Sequence, residues 1–254
     1  APAIGSLFTD VKVEQVINGI EKIGFYHAVE VALGADIVSC HEAEEFANTI
    51  TERQWMTSSC CPAFVKYIQT SYPELMEHVS GTVSPMIAIA RLLRSVEENC
   101  KIVFIGPCTA KKMEIKEDDL KGDVDYVLTF EELQAILDAM EIDLSQCEET
   151  SLDNASYFGR LFARSGGVSE AVQQAIEVKG IDADYRPIKC NGLDEVVKNL
   201  RLAKLNRLPG NFMEGMACKG GCIGGAASLS HGPKDVTEVN KYVKLSKEEN
   251  SLQA

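Results

Sequence analysis

No stretch of the 254-residue chain approaches the run of about 18 apolar residues that a membrane-spanning helix requires. Even the apolar segment 25–40 carries His27, Glu30 and Asp36. The opening APAIGSLFTD lacks the Lys/Arg start and long apolar middle of a secretory signal. No basic stripe interrupts the excess of acid: 25 Lys+Arg against 38 Asp+Glu give a formal net charge of -13, which repels a phosphate backbone and an anionic lipid surface alike. Neither nucleic acid nor a membrane is an expected partner, and the cytoplasm is the expected compartment. There is no internal repeat, no low-complexity tract and no Pro/Gly/Ser linker long enough to separate domains. The length then fits one large domain, or two lobes sharing a cleft. The chain begins without Met, on what reads as the end of a strand entering a loop, so it is expected to be one segment of a longer polypeptide.

A disulfide framework is missing as well. Nine cysteines, Cys40, Cys60, Cys61, Cys100, Cys108, Cys147, Cys190, Cys218 and Cys222, are odd in number, uneven in spacing and far below the roughly 8–10% of a disulfide scaffold. Adjacent Cys60 and Cys61 cannot easily bridge one another. Metal binding or thiol chemistry in a reducing compartment fits better.

The hydrophobic pattern reads as α/β. Val13, Val16, Ile17, Ile20 and Ile23 recur at helical spacing, and the segment after Gly24 reads as a short strand through Val29, Val31 and Leu33. Helices are expected over 35–51, from Pro62, from Ser84-Pro85, and near 131–140, 168–179 and 193–206, with β-rich runs at 101–105, 126–130 and 185–190. The longest loop is expected at 146–160. A terminal helix is expected from Thr237, fraying at its end. Together these predict α/β with largely parallel sheets. Ligands at the carboxyl ends of strands, which the cysteine segments would supply, suit two lobes, each a small, largely parallel sheet flanked by helices, closing over a buried cofactor between them. The lobes are expected at about 1–99 and 100–210, with 211–254 closing the site.

Chemistry concentrates in three segments: TSSCCPAF (57–64), GPCTAKKME (106–114) and EGMACKGGCIGG (214–225). In each, cysteine sits where a strand or loop should turn into a helix, where outward N–H groups and the local dipole favour a thiolate. Thiolates bind soft metals and iron–sulfur clusters. Glycines around Cys218 and Cys222 let backbone approach bulky sulfide. One cysteine from each of the first two segments and two from the third supply the four that a 4Fe-4S cube needs, and zinc would accept the same four.

These segments resemble the three signature segments of the catalytic domain of FeFe hydrogenases, in the same order, and the opening APA resembles a fourth. The resemblance implies reversible oxidation of hydrogen to protons and electrons. It also implies an H-cluster, a 4Fe-4S cluster joined through a shared cysteine to a diiron subcluster carrying CO, CN and a bridging dithiolate. By position, Cys61, Cys108, Cys218 and Cys222 match the metal ligands, with Cys222 shared. Cys60 matches the thiol that passes protons to the dithiolate, Lys111 the lysine that hydrogen-bonds a cyanide, and Glu114 a glutamate positioning it. Ala1, Pro2, Ala3, Pro107 and Met216 match residues lining the diiron site, while Glu42, Glu45 and Ser80 match a proton relay, read as Cys60, Ser80, Glu45, Glu42. Implied partners are H2, protons, maturation proteins and a ferredoxin-like electron relay, either upstream or separate. A kinase or phosphatase would read the redox state of a sensing form.

Four departures bear on turnover. Gly106 stands where a methionine is usual and is expected to leave the diiron pocket roomier. Phe64 replaces a tryptophan, GGAAS replaces a third glycine and proline, and Thr49 replaces an arginine four residues after the second relay glutamate. These resemble sensory branches of the family. The alternative is a non-catalytic 4Fe-4S carrier similar to hydrogenase-like cytosolic iron–sulfur assembly factors, against which Cys60 and Lys111 argue. A structural zinc module is the third reading. Cys40, Cys100, Cys147 and Cys190 form no second cluster motif.

Overall fold

The computed structural model describes residues 1–152, 154–249 and 251. A 3-10 turn over Pro2–Ser6 leads to helix α1 (Val13–Ile23), whose Val16, Ile17 and Ile20 form one buried stripe and which ends on Gly24 at φ +113°. Next comes α2 (Val31–Arg53), 23 residues long, where the sequence pattern predicts a strand at 29–33 followed by a shorter helix. The strand is absent because 31–33 form the first turn of α2. That helix lies against α4 and α8 and buries Ala32, Ala35, Val38 and Phe46 together with Asp36, Ser39 and Glu42. Burial on several sides with polar groups among the buried ones erases the 3.6-residue contrast on which recognition of a helix depends.

Strand β1 (Met56–Thr57) runs through Cys60 into α3 (Pro62–Ser71), and α4 (Pro85–Val96) follows after Ser84. Strand β2 (Val103–Gly106) precedes the single-turn α5 (Lys111–Glu114), and β3 (Tyr126–Thr129) runs directly into α6 (Phe130–Ala139). A capping box starts α6: Thr129 Oγ1 accepts from Glu132 N–H at 3.1 Å and Glu132 Oε2 accepts from Thr129 N–H at 2.7 Å. The expected long loop contains α7 (Tyr157–Leu161), capped by the Ser156 hydroxyl. The remaining elements are α8 (Gly167–Val178), β4 (Pro187–Asn191), α9 (Leu193–Lys204), β5 (Phe212–Met216) and α10 (Asp235–Val243). Helix α10 buries Val239, Tyr242 and Val243; the fraying expected at 252–254 lies outside the described residues.

Both sheets are parallel. One has the order β1-β5-β4, with Met56 opposite Phe212 and Ile188 opposite Met213; the other pairs β2 with β3, from Val103–Tyr126 to Gly106–Thr129. Central β5 is buried along its whole length, as expected of a parallel strand covered on both faces. The sheets do not respect the expected boundary at 99/100. Strand β1 from the first segment shares a sheet with β4 and β5 from far downstream, so the chain passes from one sheet to the other and back. The carboxyl ends of β1, β2 and β5 lead into Cys60-Cys61, Cys108 and Cys218, respectively.

Candidate cofactor site

Cys61 is the N-cap of α3, and its sulfur accepts backbone N–H groups from Phe64 and from Ala217 of the third segment. Cys218 accepts the N–H of Ala226. Cys61, Cys108, Cys218 and Cys222 lie near enough for their ionised forms to repel one another. Yet among the described residues no three Cys, His, Asp or Glu side chains converge as they would on a single metal ion.

The backbone around Cys222 is a close-fitted cradle. Gly220 and Gly221 take φ of +84° and +79°, and a Cβ would fall 2.6 Å from Ser165 N at Gly221 and 2.0 Å from Lys219 O at Gly224. A Cβ at Gly225 would meet Pro107 O at 2.7 Å, where the second and third segments interlock through Ala227 N–H donating to Pro107 O at 3.0 Å. Phe64, wholly buried, lays its ring against Gly215 of β5, where a Cβ would meet it at 2.4 Å. Chain ends favouring thiolates are only half of the electrostatics. In the protein alone, burial pushes the thiols of Cys61, Cys218 and Cys222 up, and that of Cys60 well up. The helix end alone therefore does not offset burial at Cys61, Cys218 and Cys222, and a bound cation would be the group that favours their ionised form.

Lys111 is buried. Its Nζ lies 2.7 Å from Glu114 Oε2 one turn along and donates to Cys60 O at 3.4 Å. Burial opposes its charge, but the Glu114 carboxylate outweighs that and holds its pKa above the ordinary value. Neighbouring Lys112 points outward to Glu132. Ala3 is fully buried, Pro2 opens the first 3-10 turn, and Ala1 N donates to Ile105 O of β2 at 2.8 Å, beside Gly106 and Pro107. Met216 closes β5 with 2% of its surface exposed.

The carboxylates Glu42 and Glu45 share a face of α2 but not an environment. Glu42 is wholly buried; Oε1 accepts from Ser59 N–H at 3.0 Å, and Oε2 has no hydrogen-bond partner among the described residues. Burial pushes its pKa up to about 8, against the Ser59 hydrogen bond. Glu45 accepts from Ser80 Oγ at 2.6 Å, Thr82 Oγ1 at 3.3 Å, Gly81 N–H at 3.0 Å and Arg53 Nη1 at 2.9 Å. Partial burial raises its pKa, and the Ser80, Gly81 and Arg53 donors outweigh that to hold it below the ordinary carboxylate range. Glu42 is thus the deeper carboxylate, and Glu45, with Ser80 hydrogen-bonded to it, lies nearer the surface. This corrects the sequence reading, which puts Glu42 outermost. Thr49 turns its hydroxyl back to Glu45 O at 2.8 Å, so Arg53, two turns after Glu45, supplies the cation that the sequence reading finds missing.

Two further residues carry weight without a sequence signal for their roles. Glu214, fully buried on β5, accepts from Gly166 N–H at 2.6 Å and Ser169 N–H at 2.9 Å, an acid at the N-terminus of α8. Phe104 fills the space beside Gly106, where a Cβ would fall 2.6 Å from its Cζ. The pocket is therefore not roomier there, contrary to expectation. Of the other cysteines, Cys147 and Cys190 are buried, and Cys40 and Cys100 are partly buried.

The family profile described as "Iron only hydrogenase large subunit, C-terminal domain" matches residues 1–226. The chain belongs to that family. Iron hydrogenase 1 of Clostridium pasteurianum is 26% identical over 271 residues, covering 89% of this chain and 47% of that protein. The cytosolic Fe-S cluster assembly factor narfl of Xenopus tropicalis is 24% identical over 275 residues, covering 86% of this chain and 58% of that one. The chain thus spans about half the length of these curated relatives. The fold is that of a variant of the [FeFe]-hydrogenase HydA1 from Chlamydomonas reinhardtii, with a TM-score of 0.77 at 22% identity over 98% of this chain and 83% of that one.

Proposed function

We propose that this domain binds an H-cluster and catalyses the reversible interconversion of H2 with two protons and two electrons. The observation that carries the reading is Lys111, a buried cation held by Glu114 and donating to the carbonyl of Cys60, which stands outside the four-cysteine set. A cube alone needs four thiolates and neither of these residues. Four cysteines near enough to repel when ionised, following β1, β2 and β5, N–H groups donated to the sulfurs of Cys61 and Cys218, and the glycine-rich backbone around Cys222 are chemically suited to a large, anionic, sulfur-rich group.

In this reading Cys61, Cys108, Cys218 and Cys222 hold the 4Fe-4S part, with Cys222 shared. Lys111 stabilises anionic ligands on the diiron part, and Ala1, Pro2, Ala3, Pro107 and Met216 exclude water from it. When bound, the cofactor supplies the splitting or joining of dihydrogen and the storage of electrons. The protein's task is then to move protons. Cys60 Sγ, too basic to ionise in its buried setting, holds a proton near the cofactor. Glu42, protonated near neutral pH, presents unpartnered Oε2 as the next holder. Ionised Glu45 receives the proton nearer the surface, giving the graded proton affinities that a relay needs. Electrons require a ferredoxin-like carrier, and the cofactor requires maturation proteins. The cytoplasm is the proposed compartment; no helix among the described residues is long and apolar enough to cross a membrane.

The second reading, a cube-only carrier, draws on the similarity to the assembly factor. Infrared spectroscopy of anaerobically maturated protein separates the two. Metal-bound CO and CN bands that shift under H2 are expected. Iron–sulfur absorption without those bands after competent maturation overturns the hydrogenase reading in favour of the carrier.

A further inference from the structure

Gly106 ends β2 immediately before Pro107 and Cys108, and its missing side chain is matched by a neighbour. Along a strand, residues 104 and 106 project from the same face, and both are buried. An ideal Cβ on Gly106 would fall 2.6 Å from Phe104 Cζ, 2.7 Å from Cε1 and 3.1 Å from Ala1 Cβ. These distances leave no space for any side chain at 106 while the ring stays in place. Nor is the ring loose: Phe104 is 6% exposed and packs with Met86, Ile87 and Ala90 of α4 and Val124 and Val127 at β3. Its tip therefore stands between the α4 core and the junction of Ala1 with Gly106, which the Ala1–Ile105 hydrogen bond fixes.

We propose that Phe104 is a specificity-determining residue of the cofactor pocket, whose ring replaces a side chain at position 106 as the apolar wall that limits access of neutral diatomic ligands. The assignment of this junction to the diiron side rests on the function proposed above; the ring–glycine complementarity does not. A wall made from a ring anchored in the α4 core is stiffer than one made from a flexible side chain on the pocket rim, because the ring cannot swing without displacing Met86 and Ile87. The pair is size-coupled. Enlarging 106 demands a smaller 104, and shrinking 104 alone opens an apolar void of the kind that stays dry and accepts xenon.

The test uses full-length protein and three variants, Phe104→Ala, Gly106→Met and the double Phe104→Ala/Gly106→Met. Without any diiron cofactor, crystals under xenon pressure should show a xenon site bounded by Ala1, Gly106 and Met86 in Phe104→Ala, none in the original protein, and none in the double variant. Gly106→Met alone should lower the thermal midpoint by roughly 3–10 °C, and the double variant should recover most of that loss. Maturated Phe104→Ala should take up added CO roughly tenfold faster or more, with the double variant returning toward the original rate. The same xenon pattern in all three proteins, or no recovery in the double variant, overturns the complementarity. A xenon site in Phe104→Ala with a CO rate within twofold of the original overturns the role in ligand access. Absence of CO and CN bands from the maturated original protein instead removes the function proposed above and with it the access role, while the xenon and midpoint comparisons still decide the complementarity.

Discussion

Replacing Glu42 by Gln is expected to stabilise the cofactor-free protein at alkaline pH while changing little in mild acid. The carboxyl is wholly buried, with one oxygen on Ser59 N–H and the other unpartnered among the described residues. Unfolded, it ionises near pH 4.5; folded, burial holds the proton until about pH 8. Between those values the unfolded state binds fewer protons than the native state, so stability falls as pH rises and levels off above pH 8. At about 1.4 kcal/mol per unit, a window of about 3.5 units sets a ceiling of about 5 kcal/mol. Gln reproduces the shape and neutrality of the protonated acid, including one unpartnered polar position, but cannot ionise. Urea unfolding of both proteins followed by circular dichroism between pH 5 and 8.5 should give a stability difference near zero at the acid end. That difference should grow in favour of the variant and reach a plateau above pH 8. A difference that stays flat with pH, or a variant less stable than the original at pH 8.5, refutes the assignment of a proton to buried Glu42.

Three other outcomes follow from the same geometry. Cys60→Ser should keep full iron and sulfide content but lower turnover of the maturated protein by about 10²–10⁴; normal activity removes the thiol from proton transfer. Arg53→Ala should raise the pKa of Glu45, read as the carboxylate ¹³C titration in cofactor-free protein, and Arg53→Lys should restore most of the shift. An unchanged titration means that the 2.9 Å ion pair does not control this carboxylate. Glu214→Ala should destabilise by about 2–4 kcal/mol, because two buried N–H groups, of Gly166 and Ser169, lose their acceptor. Glu214→Gln, which keeps one acceptor oxygen, should lose less, and a denaturation midpoint unchanged in both variants argues against the cap.

The parts legible in the sequence are those where local chemistry and tertiary role coincide. Pro62 and Pro85 open helices as their ring geometry demands, Gly24 ends one, and the Thr129–Glu132 box starts another. The cysteine segments declared themselves because glycine, proline and thiol chemistry crowd into a few residues each. What was misread depends on distant partners. Strand β5 carries Glu214 and Gly215 in FMEGM, poor strand residues in isolation, and exists because β1 and β4 flank it on both edges. The strand expected at 29–33 yields to α2, whose burial is set by α4 and α8. Arg53 lies outside any i, i+4 pairing with Glu45, so spacing alone gave no hint of their contact. Gly106 was read as an empty position because the residue filling it, Phe104, has no meaning until the pleat of β2 puts both on one face.

The electrostatics of the site distinguish what holds a cluster from what works with one. A carrier needs thiols and enough N–H donors to soften their charge, and Cys61 and Cys218 already have those donors. It gains nothing from a buried ammonium, which costs several kcal/mol of desolvation unless a partner offsets it. Here the partner is Glu114, so the Lys111–Glu114 pair is internally neutral while its charged end still donates toward Cys60 O. Such a pair contributes little net stability by itself. It presents a fixed positive pole on one side while the pair's own charge stays balanced. Glu42, holding its proton to about pH 8, adds no negative charge beside Cys60 near neutral pH. In the proposed relay, a proton passing from Glu45 to Glu42 would move to a more basic site, and an onward step to Cys60 would move it to one more basic still. The protein's own fields thus favour proton uptake in that relay, and outward release would draw on the redox change that the cofactor supplies when bound.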